Sequence, residues 1–391
     1  MIQRKIPTGT RDKLFREASG AYRLEHKVNA VVKERGYQRV ETPTIEFADL
    51  FDEEESELYR FFDNKGNLLA LRSDMTTPIG RVVENTKLTL PVKLSYSGKI
   101  YRANEAMRGE QNEISQAGIE LIGFSSVKAE VEALLCAYDI LQTLQISDFH
   151  FEIGHAQIFH ELVSVLSLTE GSIEEFRQML ESKNISGLKA FTEKYPSELD
   201  TFIQQLPFLF GFPEKVFTKA RGLLPEGSFL RTAIDEMSLL LERVENSLAD
   251  VVLTVDLGLV PTQGYYTGLL FNGFADKIAD VFLRGGRYDE LVQTDEQAVV
   301  PAVGMGINLD TLVDLQYRLN TLEVLKTPSI FIHYEDWQDL VIAEELQRQT
   351  LDSQLSLFET FEEAEEFAKL WQFSELWLLK NGEVTKLKVG E

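Results

Sequence analysis

Ser115-Gln116-Ala117-Gly118-Ile119-Glu120-Leu121-Ile122-Gly123 decides how this 391-residue chain is read. A period of two predicts a strand with Ala117, Ile119 and Leu121 on one face and Gln116, Gly118, Glu120 and Ile122 on the other. The first face can pack on helices. The second sets an amide and a carboxylate two pleats apart, with Gly118 leaving room between them for something bulky. Three further stretches read as strands, LLALRSDM (68–75), KLSYSGKIYRA (93–103) and VVLTVDLGL (251–259). Strands that are not consecutive, joined through long connections, predict an antiparallel sheet flanked by helices, an α+β fold.

The polar face has a chemistry. Asp74 and Thr76, two apart on a segment expected to be extended, point the same way. A carboxylate beside hydroxyl and amide acceptors suits an α-ammonium group, and a second carboxylate with a tyrosine hydroxyl suits an imidazole N–H. Tyr265-Tyr266 can supply that hydroxyl. The residues alone leave an ordinary solvated strand face as the alternative, because an unpaired buried carboxylate costs several kcal/mol.

Outward from this face, the chain divides into three parts. Residues 1–165 with 250–322 alternate strand-like and helix-like segments. An amphipathic helix is expected over 25–35 from Val28, Val31 and Val32, stopped by Gly36, and Thr42-Pro43 marks extended chain after it. Residues 166–248 read as a helical insertion, with a capping box at Ser172-x-x-Glu175. Residues 326–391 read strand–helix–strand–helix–hairpin, with Thr360 capping a helix whose acidic run 362–366 is its solvated face. Lys380-Asn381-Gly382 is the type I′ turn of the hairpin.

Composition excludes some classes. The hydrophobic fraction is 44% and the charged fraction 26%, ordinary for a globular protein. No run approaches the roughly 18 apolar residues of a membrane span and the N-terminus has no signal-peptide core, so no membrane partner is expected. The single Cys136, in an apolar run, reads as a buried thiol and fits a reducing cytoplasm. A net charge of −24 repels phosphate backbones. Residues 326–391 carry 14 Asp/Glu against 6 Lys/Arg, so no basic patch for nucleic acid exists there. His155 and His160 lack the i, i+4 spacing of a helical metal pair, and neither metal nor cofactor is implied.

Ordered motifs run through the chain: Pro7-Thr8-Gly9-Thr10-Arg11-Asp12, Gly36-Tyr37 through Glu46, Leu71 to Thr76, Gln116 to Glu120, Gly264-Tyr265-Tyr266, Gly285-Gly286-Arg287-Tyr288-Asp289 and Pro301-Ala302-Val303-Gly304. Together, over about residues 1–320, they resemble the histidyl-tRNA synthetases. The resemblance implies a class II aminoacyl-tRNA synthetase-like antiparallel sheet flanked by helices, and a core domain over 1–322 that includes the helical insertion at about 166–248; residues 326–391 read as a small acidic α/β domain of undecided role. It implies a homodimer through the motif 1 region. It also implies that Asp74, Thr76 and Gln116 hold the α-amino group of histidine and that Glu120 and Tyr266 address its ring. Tyr265 and the 285–289 segment would shape the pocket, the two glycines turning the chain so that Arg287 reaches the rim.

Departures from the synthetase pattern redirect the function. The motif 2 arginine survives as Arg102, a possible residual phosphate ligand, but the following loop reads Arg108-Gly109-Glu110-Gln111-Asn112-Glu113. The motif 3 arginine falls at Thr311, and the histidine-specific signature has Pro261 where an arginine is usual. Adenylate formation needs preorganised cations around the reacting phosphate, and losing one commonly costs about 10³–10⁵ in rate. A histidine pocket without these cations, joined to an acidic C-terminal domain, resembles the ATP phosphoribosyltransferase regulatory subunits. That resemblance implies a non-catalytic subunit that needs no tRNA. It would assemble with a short-form ATP phosphoribosyltransferase catalytic subunit for the first step of histidine biosynthesis, with histidine as a feedback effector. The 107–114 loop or the Tyr265-Tyr266 segment is expected to close over histidine. A divergent active synthetase and an interaction module with a vestigial pocket remain the alternatives.

Overall fold

The computed structural model describes residues 5–51, 58–103, 111–292, 299–323 and 328–389. Two compact units emerge, Met1–Leu322 and Glu323–Glu391.

The first unit is built on a nine-stranded sheet. Its order runs Gln38–Arg39, Val92–Tyr101, Glu113–Ile122, Ala302–Asn308, Leu283–Arg287, Leu269–Ala275, Phe149–His155, Val252–Asp256 and Phe210–Gly211. Six of the eight pairings are antiparallel; the strands at Gln38–Arg39 and Val252–Asp256 each join a neighbour in parallel. The Glu113–Ile122 strand is ten residues long and near the centre, as its alternation predicts. Ala117, Ile119 and Leu121 enter the main apolar core together with the helices Phe15–Glu34, Lys128–Thr143 and Leu309–Leu319. Ile122 joins a separate cluster on the other face, with Leu94, Tyr96, Tyr266, Leu270 and Tyr288.

The first helix spans Phe15–Glu34 and so begins ten residues before the expected start. Its buried stripe continues through Leu24 to Gly20, and a glycine does not register as apolar in the sequence. Gly20 is there because a Cβ would lie 2.8 Å from Leu322. The helix stops at Gly36, whose φ of +83° a side chain would strain. The insertion forms helices at Glu170–Glu181, Ile185–Lys194, Asp200–Gln205, Pro213–Leu223 and Leu230–Val244. The capping box at Ser172 is not realised. The helix starts at Glu170 after Thr169, and the Ser172 hydroxyl instead bonds Thr169 and Tyr195.

A small three-stranded sheet in the same unit joins Ile45–Phe47, Leu68–Leu71 and Arg60–Phe62. It leaves Ile45, Phe47, Phe61, Phe62 and Leu68 exposed. Cys136 is buried, and burial pushes its thiol up to about 12, which removes it from thiolate chemistry. Among the described residues, no helix is long and apolar enough to cross a membrane.

The second unit follows the expected order, Ile330–Tyr334, Leu340–Gln349, Ser353–Leu355, Phe361–Leu370, then the hairpin Glu375–Lys380 and Glu383–Lys388. Thr360 accepts a hydrogen bond from the Glu363 amide, which satisfies one orphan donor of its helix. Asn381 and Gly382 form the two-residue turn with φ of +52° and +80°. Gly382→Ala meets nothing closer than Ile342 at 3.8 Å, so its cost is conformational alone. Chemical denaturation of the full chain is expected to show a loss of about 1 kcal/mol confined to the second unit.

Candidate functional site

Sheet register places the polar side chains in rows. One row crosses six strands as Tyr96, Gly118, Gly306, Arg284, Asn272 and Glu152. The next, two residues along, reads Leu94, Glu120, Gly304, Gly286, Leu270 and Gly154. Glycine dominates the middle of both rows, so the face is a floor with side chains standing at its margins. Gly304 is required: a Cβ there would fall 1.8 Å from Glu120 Oε2. Gly306 likewise leaves room for the Gln116 amide, which would lie 2.8 Å from an added Cβ.

Glu120 is wholly buried. The Thr76 hydroxyl donates to its Oε1 at 2.8 Å, and the Tyr288 hydroxyl donates to Oε2. Burial nevertheless pushes its carboxyl from 4.5 up to about 8; the two hydroxyls oppose the shift, and the nearby charge of Asp74 adds to it. Two acids therefore share one apolar-walled pocket, where a ligand carrying N–H donors or positive charge relieves their repulsion.

Asp74 and Thr76 do not lie on an extended segment. The strand ends at Leu71 and a helix begins at Thr76, running to Thr86. Asp74 Oδ1 accepts the Thr77 amide at 2.7 Å, the bond a short acid makes at a helix start. Asp74 also lines a cleft of about 500 Å³ with Phe51, Thr77, Tyr265 and Glu290, so the candidate residues have an opening to solvent. Tyr265 is hydrogen-bonded to Thr76, and its ring meets Tyr266 at 5.0 Å and Tyr288 at 5.6 Å. Tyr96 donates to Gln116 Oε1 at 3.2 Å, which orients that amide. Burial holds the hydroxyls of Tyr96, Tyr265, Tyr266 and Tyr288 above the ordinary tyrosine value, so all four remain donors at neutral pH.

Hydrogen bonds and mutual charge effects thus link Thr76, Glu120 and Tyr265, with Asp74, Tyr266 and the Tyr96–Gln116 pair beside them; of the six candidates Asp74 and Tyr265 line the open cleft. Arg102 stands at its margin, with Nε 3.3 Å from the Ser73 carbonyl. The loop positions Arg108, Gly109 and Glu110, with the start of the 107–114 segment, lie outside the described residues. Asn112 is held elsewhere, its amide donating to the Gly9 carbonyl and its side chain to Tyr59. At the motif 3 position Thr311 opens the helix Leu309–Leu319, and its neighbour Asp310 is buried against Lys13 and the Ser115 amide. Pro261 is anchored through its carbonyl by Arg177 of the insertion.

Comparison with known proteins gives the family and the fold. A family model described as histidyl-tRNA synthetase matches residues 9–312. An ATP phosphoribosyltransferase regulatory subunit of Listeria monocytogenes serotype 4b is 47% identical over 378 residues, 96% of this chain and 95% of its own. The chain belongs to the ATP phosphoribosyltransferase regulatory subunit family. A member from Streptococcus thermophilus is 39% identical over 313 residues, 80% of this chain and 95% of its own. Among solved structures, a protein of Bacillus halodurans described as an ATP phosphoribosyltransferase regulatory subunit/histidyl-tRNA synthetase superposes with a TM-score of 0.79 at 27% identity, covering 94% of this chain and 97% of that one. The histidyl-tRNA synthetase of Nostoc sp. PCC 7120, at 18% identity, shares the fold with a TM-score of 0.76 and coverage of 99% and 97%. The expected class II synthetase-like fold is the observed one.

Several site features of this family member escape sequence reading. Tyr288 is a partner of Glu120, and alternation from Arg284 through Gly286 would have found it. Gly285 and Gly286 form no turn; they lie within the strand Leu283–Arg287. Arg287 consequently faces away from the pocket and pairs with the buried Glu130 at 2.6 Å and with Asp289 at 3.3 Å. His155 is a helix cap, taking the Gln157 amide on Nδ1 and Glu236 on Nε2.

Proposed function

We propose that this protein is the non-catalytic regulatory subunit of an ATP phosphoribosyltransferase. It assembles with a short-form catalytic subunit for the first step of histidine biosynthesis and carries feedback inhibition by histidine. One observation carries the reading: Asp74, Thr76, Gln116, Glu120, Tyr265 and Tyr266 lie together through hydrogen bonds and mutual charge effects, while Thr311 and Pro261 stand where the synthetase pattern has arginines. Asp74, Thr76 and Gln116 take the α-ammonium group, and Glu120 takes a ring N–H, with Tyr265 and Tyr266 enclosing the ligand. Without arginines around a reacting phosphate, activation of the amino acid has nothing to stabilise its transition state. No tRNA is needed, and the acidic second unit offers it no basic surface. The setting is the cytoplasm, whose reducing conditions suit the buried free thiol of Cys136.

Self-association runs through the motif 1 region. Ile45, Phe47 and Phe61, which register places on one face of the small sheet, are exposed apolar side chains that favour burial against a second copy. Histidine can inhibit a partner only by preferring one of two assembly states, with a coupling of typically ~1–3 kcal/mol.

The test mixes the full-length protein with a short-form catalytic subunit and follows phosphoribosyl transfer with and without histidine. Activation that histidine reverses is the expected result. Activation untouched by histidine would favour an interaction module, and histidine-dependent ATP–pyrophosphate exchange by this protein alone would make it a synthetase.

A further inference from the structure

Arg284 stands apart from the enclosed arginines of this chain. Arg287 is matched by Glu130, Arg72 by the Thr42 and Lys99 carbonyls, and Arg231 by the Arg221, Leu224 and Pro225 carbonyls. No side-chain hydrogen bond holds the Arg284 guanidinium among the described residues. Its side chain is exposed to solvent and lines a small cavity beside Tyr266. Burial, with the positive charge of Arg102 after it, holds its guanidinium below the ordinary arginine value. The like charge of Arg102 weighs more on Arg284 than the opposite charge of Asp280 does, and two such neighbouring cations are relieved by an anion.

Position gives that anion an address. Arg284 shares the pocket face with Gln116 and Glu120, and its in-register neighbour on the adjoining strand is Gly306. The Gln116 amide lies over that same glycine. The strand Ala302–Asn308 lies between theirs, so the two strands are about 9.6 Å apart, a gap that the Gln116 amide narrows by lying over Gly306. Arg284 also lines a small cavity with Pro261, Thr262, Tyr266 and Asn272, so its guanidinium occupies the space beside the position where the synthetase signature has its own arginine. That cavity measures about 20 Å³, room for one water-sized group. A planar carboxylate can place one oxygen there and meet the guanidinium edge-on, whereas a tetrahedral phosphate needs more space.

We infer that Arg284 is the cation that receives the α-carboxylate of the bound amino acid, supplied from the Leu283–Arg287 strand in place of an arginine at position 261. The inference rests on the histidine-binding reading above and adds a specificity determinant to it. It separates a free amino acid from the same side chain without its carboxylate.

Calorimetric titration of the full chain with L-histidine and with histidinol, in which an alcohol replaces the carboxylate, tests it. Wild type is expected to favour histidine by roughly 10–100-fold, the range for a hydrogen bond to a charged group. Arg284→Met is expected to bring histidine down to the level of histidinol and leave histidinol unchanged, with Arg284→Lys recovering part of the preference. Undiminished preference in Arg284→Met overturns the assignment alone. An equal loss for both ligands also overturns it, since the arginine would then be supporting the pocket's shape. If wild type binds neither ligand, the histidine reading itself fails and this inference falls with it. Inorganic phosphate at millimolar concentration is expected not to compete with histidine; competition that disappears in Arg284→Met would give the cation to phosphate instead.

Discussion

Glu120→Gln is expected to gain stability relative to wild type as pH rises through the neutral range. A carboxyl that titrates near 8 in the folded chain and near 4.5 when unfolded keeps its proton at pH 7 only while folded. Between those values the native state binds more protons than the unfolded state, so stability falls as pH rises and this contribution is gone above pH 8. The loss is on the order of 3–5 kcal/mol for a fully enclosed group. Glutamine preserves the shape and cannot ionise, so the variant is expected to match wild type near pH 5 and exceed it at pH 9. Chemical denaturation at half-unit intervals reads the difference, which cancels contributions from acids shifted the other way, such as Glu132 and Glu236. Parallel curves for the two proteins from pH 5.5 to 9 would refute a protonated Glu120.

Gly118→Ala is expected to be the most damaging single methyl in the first unit. A Cβ at that position would sit 2.2 Å from the Met305 carbonyl oxygen and 2.3 Å from the Tyr96 hydroxyl. The tyrosine can rotate away, at the expense of its bond to Gln116. The carbonyl belongs to the neighbouring strand and cannot move without opening the ladder that pairs Gly118 with Gly306. Overpacking of this kind costs about 1–3 kcal/mol where side chains can yield, and more where backbone must. The expected outcome is a loss above 3 kcal/mol or failure to accumulate folded protein. Gly36→Ala is the control, because it meets nothing within 4 Å and is strained only by its φ. Equal losses in the two variants would show that close approach at Gly118 is unimportant.

Much of this was legible in the residues, and the reasons for the misses are physical. Alternation along 115–123 assigned both faces of the central strand correctly, because each face meets a different medium and one slipped residue would invert them all. The hairpin at Asn381-Gly382 and the cap at Thr360 are local chemistry and were equally plain. The helix start at Phe15 was hidden by a glycine serving as a core residue. Gly285 and Gly286 looked like a turn because sequence cannot distinguish glycine that bends a chain from glycine that clears space for a neighbour. Here a Cβ on Gly285 would strike Phe271 at 2.4 Å and one on Gly286 the Leu269 carbonyl at 2.6 Å. The partnership of Glu120 with Tyr288 spans 168 positions and depends on register, which no single strand discloses.

The helix Thr76–Thr86 gives the cavity a mechanical neighbour. Asp74 grips the Thr77 amide in its first turn, while Arg81, four residues and about 6 Å further on, holds the buried Glu46 of the small sheet at 2.7 Å. A rod this short does not bend between its two grips. One short helix therefore ties the position of the candidate acid to the position of the small sheet.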